Sequence, residues 1–213
     1  MNHLNKEKSK NNIDSKTVSS FGDEWDRFDQ SDLSDQEAKI VFEKYFSIFP
    51  WENISDKSIG FDMGCGSGRW AKLMAPRVNH LNCIDPSSAI EVAKKNLDSF
   101  NNISFFQAAV DDNMIDESSQ DFGYSLGVLH HIPDTPKALK SCVDLLKPGA
   151  PFLLYLYYAF DGRSIIYKSI WKLSDLIRKI ICKLPDGLKN IVTDIIALLV
   201  YYPLSKLSLL IEF

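Results

Sequence analysis

Cysteine is scarce in this chain and scattered. The four residues, Cys65, Cys83, Cys142 and Cys182, include no Cys-x-x-Cys pair. That spacing suggests neither a zinc site nor a disulfide framework, and reduced thiols in a cytosol are the simplest reading. Excess positive charge is missing too. With 24 Lys+Arg against 28 Asp+Glu the formal net charge is −4, so the basic footprint of a dedicated nucleic-acid binder is absent. No apolar core followed by a cleavage site opens the sequence, so no secretory signal is expected. The longest uncharged run near the C-terminus, 195–205, is well short of the ~20 residues that span a bilayer. What is present is a 213-residue chain, 45% hydrophobic, large enough for one α/β domain with additions and a proper core.

The most informative stretch is Ser58-Ile-Gly-Phe-Asp-Met-Gly-Cys-Gly-Ser-Gly-Arg-Trp-Ala71. Ile59, Phe61 and Met63 read as a short buried strand that stops in Gly64-Cys-Gly-Ser-Gly68, and a helix starts at Arg69. Glycines at alternate positions allow a sharp turn and let a ligand approach main-chain N–H groups. A helix N-terminus behind such a loop favours carboxylate, phosphate or hydroxyl groups. The spacing is G-x-G-x-G. A dinucleotide fingerprint requires glycine where Arg69 stands, which disfavours a dehydrogenase. A second buried strand, 80–84, ends in Asp85-Pro-Ser-Ser88. An acidic residue about 20 positions beyond the first glycines, at the end of the second strand, is placed to bind a ribose diol. The plainer reading of Asp85 is the N-cap of the next helix, with Pro86 at its first position.

Together these residues resemble the class I S-adenosylmethionine-dependent methyltransferases, in particular their small-molecule group. The resemblance covers roughly 61–158 and rests on four motifs in the family's order. These are the Asp62-Met-Gly-Cys-Gly-Ser-Gly68 loop, the acidic end of strand two, Asp121-Phe-Gly-Tyr-Ser-Leu-Gly-Val-Leu-His-His-Ile-Pro-Asp134, and Leu145-Leu-Lys-Pro-Gly-Ala-Pro-Phe-Leu-Leu154. It implies a Rossmann-like, doubly wound, mainly parallel α/β sheet with an N-terminal helical lid and a C-terminal helical extension. The cofactor it implies is S-adenosylmethionine, with no metal. By resemblance, Gly64, Cys65, Gly66 and Gly68 cradle the methionine part and Asp62 orders that loop. Asp85, adjoining Pro86, takes the ribose hydroxyls; Ala109 and Val110 flank adenine; Gly127 lines the sulfonium. The family often has Gly-Asp-Ala where Ala108, Ala109 and Val110 stand, so its acidic adenine contact is absent here. Asp111, or the amides next to Ala109 and Val110, are the substitutes.

Taken in order, 1–20 is polar and expected to be a disordered tail. Residues 21–57 form a helical cap in which Trp25 and Phe28 either cover the cofactor or pack on the sheet edge. Ser34 and Glu37 have capping-box spacing. The methyltransferase core is expected at 58–160, with strands at 103–107, 121–126 and 152–158, the last buried on both faces. Asp121, at the base of its strand, reads as structural. His130 and His131 leave the fourth strand beside the expected methyl group. Either is a candidate general base, since histidine titrates near neutrality; the alternative is packing or a bond to a backbone carbonyl. Tyr157, Tyr158 and Asp161 are candidates for orienting an acceptor, and Arg69 for holding a carboxylate.

From 161 to 213 the sequence reads as an amphipathic helical extension, broken at Pro185-Asp-Gly187, with the second helix running from 188 to 202. A basic amphipathic pair over 163–202 suits peripheral contact with an anionic membrane, a lid, or a homodimer face. The family's two further strands are not found, so the chain is either a fragment or has helices along that edge. The leading expectation is an enzyme, cytoplasmic or peripheral to the membrane, that methylates a small or lipid-linked metabolite, with no nucleic-acid substrate. Its rival is a catalytically inactive methyltransferase-like domain serving as a cofactor-binding or membrane-peripheral assembly partner.

Overall fold

The computed structural model describes residues 12–27, 34–157 and 160–211; Phe28 and Tyr158 lie outside them. The chain divides into two compact units between residues 157 and 158.

The first unit holds five strands, β1 Ile59–Met63, β2 His80–Ile84, β3 Ile103–Phe106, β4 Phe122–Leu126 and β5 Phe152–Tyr155. All pair in parallel in the order β3-β2-β1-β4-β5. Its α-helices are α1 Ser15–Arg27, α2 Asp35–Tyr45, α3 Arg69–Met74, α4 Ala89–Asn96 and α5 Thr135–Asp144. Strand side chains alternate between two cores. Leu81, Cys83, Phe122 and Tyr124 join Phe42, Phe46 and Trp70 in one of them. Phe61, Met63 and Ile84 join Leu129, Ala138 and Cys142 in the other. Because the chain winds outward from β1 to β3 and then returns to β4, strand order reverses between β1 and β4. A crevice at the carboxyl ends of those two strands is the topological consequence.

Local chemistry sets the element ends. The Ser34–Glu37 capping box forms as the spacing predicts and starts α2. Asp134 caps α5, accepting from the Lys137 N–H at 3.0 Å. Asp121 accepts from the Ile59 N–H at 2.9 Å and pairs with Lys147 at 2.6 Å. It therefore anchors the amino end of β1, remote from the crevice.

Three expectations are corrected. The polar tail does not extend to residue 20: α1 begins at Ser15, and Asn12 is already buried. The fifth strand stops at Tyr155 and is not buried on both faces, because β5 is a sheet edge among the described residues and leaves Tyr155 and Tyr157 exposed. The last helix does not end at 202. In the second unit, α6 Ile165–Ile181 is capped by Ser164, and α7 Asp186–Ile196 runs through a π turn, Ala197–Tyr201, into α8 Tyr202–Ile211.

Candidate active site

A cavity of about 160 Å³ opens in the crevice, lined by the glycine loop, Asp85 to Ser87, Ala108 to Val110, Leu126 to Val128, His131 and the inner face of α1. The loop explains the shape. Gly64, Gly66 and Gly68 all take left-handed backbone angles, with φ of 83°, 53° and 80°. At Gly64 a β-carbon would lie 2.5 Å from Val128, and at Gly66 one would lie 3.1 Å from the Trp25 indole. Glycine is therefore required at Gly64 by backbone angle and by space, and at Gly66 chiefly by backbone angle. Gly127 has φ 80° and nothing within 4 Å of where a β-carbon would stand, so its open side faces the cavity.

Asp85 is the organising carboxylate. It is not the N-cap of α4, which starts at Ala89 after Ser88. One oxygen accepts from the Gly66 N–H at 3.0 Å; the other accepts from the Ser87 N–H at 2.9 Å and the Ser87 hydroxyl at 2.6 Å. A carboxylate offers about four acceptor sites, so these three bonds fix its direction while leaving capacity toward the cavity it lines. The tie to Gly66 couples the end of β2 to the loop after β1. Further bonds from the Gly64 and Cys65 N–H groups to the Ile84 carbonyl, at 2.7 and 3.1 Å, reinforce that coupling.

Asp62, to which the resemblance gives the role of ordering the loop, stands two residues before it. It is buried at the end of β1, and its Oδ2 makes no hydrogen bond among the described residues, nor does the neighbouring Tyr124 hydroxyl. Burial pushes the Asp62 carboxyl up to about 8, Asp85 adds to the rise, and Tyr124 opposes it. Cys65 lines the cavity, and the adjoining Cys83 thiol together with burial holds its own thiol well above the ordinary range, so it stays protonated.

The two histidines separate. Leu129–His131 is a short 3₁₀ turn after β4. His131 lines the cavity and meets Phe21 of α1 edge-on at 5.0 Å. His130 is not part of the lining. Its ring stacks 4.2 Å from Tyr157, and both ring nitrogens are buried without a partner among the described residues. Burial lowers both imidazoles, helped at His130 by His131 and opposed at His131 by Glu24. Arg69 also lines the cavity, half-buried with its guanidinium 4.0 Å over the Trp70 ring. Among the described residues it has no ion-pair partner.

Beside Ala109 and Val110, Asp111 is engaged elsewhere in the fold. Its carboxylate is absent from the lining; it binds Lys137 at 2.9 Å and accepts from the Asn12 N–H at 3.1 Å. Burial would raise this group, but the bonds from Lys137 and Asn12 hold it below the usual carboxylate range. The Ala109 N–H is also taken, by Asp112 at 2.7 Å. Pro86, Ala109 and Val110 all line the cavity.

Sequence reasoning missed Asn12, Thr17 and Ser87. Asn12 exchanges two hydrogen bonds with the Asp134 backbone, at 2.7 and 2.9 Å, and so ties the segment before α1 to the cap of α5. Ser87 was legible: a serine two residues after an aspartate at a strand end favours a side-chain-to-backbone turn.

A family described as "Methyltransferase domain" matches residues 61–154, the interval from β1 to β5. Over that interval the chain is similar to methyltransferase domains. Curated relatives of this domain include the ubiquinone biosynthesis O-methyltransferases of Saccharophagus degradans and Alkalilimnicola ehrlichii. The first is 31% identical over 45% of this chain and 42% of its own length, the second 35% identical over 41% and 37%. The chain thus spans about two fifths of the relatives it matches. Among solved structures, the YcgJ protein of Bacillus subtilis shares the fold, with a TM-score of 0.50, 22% identity, and coverage of 57% of this chain and 50% of that one.

Proposed function

We propose that this chain transfers a methyl group from S-adenosylmethionine to a small-molecule acceptor. The observation that carries the reading is the convergence, in one cavity at the β1/β4 switch point, of the left-handed glycine loop, the buried Asp85 carboxylate and the Gly127–His131 turn. These residues fit the cofactor class. The glycine cradle has no side chains to block an amino-acid moiety, and Asp85 offers acceptors to a diol. In this reading Gly64, Cys65, Gly66 and Gly68 hold the methionine part, with Arg69 on its carboxylate. Asp85 and Pro86 hold the ribose, while Ala109 and Val110 flank the base.

When bound, the sulfonium supplies an activated methyl group, so neither a covalent enzyme intermediate nor a metal is needed for transfer. The protein's share is proximity, alignment and exclusion of water. Gly127 leaves room beside the reacting carbon, and α1 closes the opposite wall with Phe21 and Trp25. His131 is the base candidate, because it lines the cavity and its lowered affinity for protons keeps it neutral at pH 7. It accepts a proton from a hydroxyl or ammonium acceptor at its ring nitrogen. His130 supports that turn from behind. Incubating the protein with a methyl-labelled donor and a metabolite extract tests the reading. A labelled small molecule is expected; label that stays on the donor with every extract counts against it.

A lipid-linked acceptor is the finer form of this proposal. It is supported by the second unit, where α6 exposes Ile166, Ile170, Leu173 and Ile177 beside basic residues. Such a surface suits an anionic membrane or a second copy of the chain. Flotation with anionic liposomes separates the two uses: lipid contact predicts recovery at the top of the gradient, and copy pairing predicts soluble dimers.

A further inference from the structure

We infer that the helix over Gly187–Ser208 crosses a lipid bilayer, and that α6 lies along the anionic face from which it enters. This rests on the reading of 163–202 as lipid-facing and goes beyond it, because a surface contact becomes a spanning segment. Read as a string, the uncharged run is too short to cross. The folded backbone changes the count. The helix over Gly187–Ser208 is continuous for 22 residues, and none of its most apolar stretch is buried. At 1.5 Å per residue it is about 33 Å long, against a hydrocarbon thickness of roughly 30 Å.

Pro203 does not break it. A proline lacks the N–H and crowds the carbonyl four residues before it. The π turn Ala197–Tyr201, immediately upstream, absorbs that mismatch without ending the helix. Between Lys189 and Lys206 the only charged residue is Asp194, and lysines at both ends of a span reach the headgroups.

The distribution around the axis identifies the occupant. Leu198, Leu199, Val200, Tyr201 and Tyr202 are consecutive and all exposed, and five residues make more than one full turn of either an α- or a π-helix, so apolar side chains face every side. A second copy of the chain would cover one side, whereas lipid covers every side. By contrast α6 is two-faced, and 163–189 carries seven Lys and Arg against two Asp, the charge balance that binds an anionic surface.

The test uses the full chain expressed in bacterial cells. The protein should sediment with membranes and stay there through alkaline carbonate and high-salt washes. Leu198→Arg, at an exposed mid-helix position that no packing depends on, should move most of it to the soluble fraction. Cys182 is exposed, whereas Cys65, Cys83 and Cys142 are buried. A membrane-impermeant maleimide should therefore reach Cys182 and a Ser208→Cys variant from opposite sides of sealed membranes. Release by carbonate, or labelling of both positions from one side, overturns the crossing while leaving surface contact in place. Soluble protein without any wash overturns lipid contact altogether, and soluble dimers would assign the apolar faces to a second copy. Binding of S-adenosylmethionine to the first unit is measured separately, so its failure and the failure of the crossing are told apart.

Discussion

Asp62 and Asp85 end neighbouring strands, yet their surroundings give them opposite behaviour. Asp85 accepts three hydrogen bonds, while Asp62 is sealed off and pushed up to about 8. In the unfolded chain Asp62 titrates near the ordinary carboxylate value of about 3.9. The folded state therefore holds more protons between about pH 4 and 8, and stability falls as pH rises through that window. Replacing Asp62 by Asn should leave stability near the wild-type level at pH 4 and raise it at pH 8 by on the order of a few kcal/mol. Urea melts at several pH values read this directly, and parallel wild-type and variant curves would refute it. The histidines act in the other sense. With both imidazoles lowered by burial, the unfolded state binds more protons below about pH 6.5, so their contribution is lost as pH falls. His131→Ala should lower kcat by about 100-fold or more if the ring is a general base, with little change in cofactor affinity. His130→Ala should act chiefly on thermal stability. Equal kcat for His131→Ala and wild type on a hydroxyl acceptor would remove the base.

At the scale of elements, α1 is where the sequence was least informative. A polar N-terminal stretch gives no sign that Asn12 will bond to Asp111 and Asp134, 99 and 122 positions away. Side-chain pairings at such separations leave no periodic trace. The capping box, the glycine loop and the strand ending at Asp85 were legible because each is a local pattern whose chemistry operates within a few residues. The same reason applies to Asp111: the resemblance offered it as a substitute adenine contact, and only tertiary contact shows its carboxylate engaged by Lys137 and Asn12. Asn12→Ala removes two side-chain bonds worth about 1 kcal/mol each. It should weaken S-adenosylmethionine binding several-fold by loosening α1 while leaving the melting of the sheet nearly unchanged. Equal affinity in a titration would show that α1 does not hold the cofactor.

Over the whole molecule, the order of strands matters more than any single motif. Winding outward to β3 and back to β4 brings 64–68, Asp85, 108–110 and 127–131 to one rim; that winding was expected from the resemblance carried by the four motifs, since apolar periodicity marks strands and not their order. The extent of the last helix was not readable, since Pro203 looks like a stop until the π turn is seen. The central claim is that this rim binds S-adenosylmethionine through Asp85. Isothermal titration of the donor into the full chain measures it most directly. One site per chain is predicted, with affinity lost by about 100-fold or more in Asp85→Ala, as expected for two hydrogen bonds to a charged group, in a variant whose fold is checked by circular dichroism. No heat with the wild type, or an unchanged affinity in a folded Asp85→Ala protein, would contradict the account.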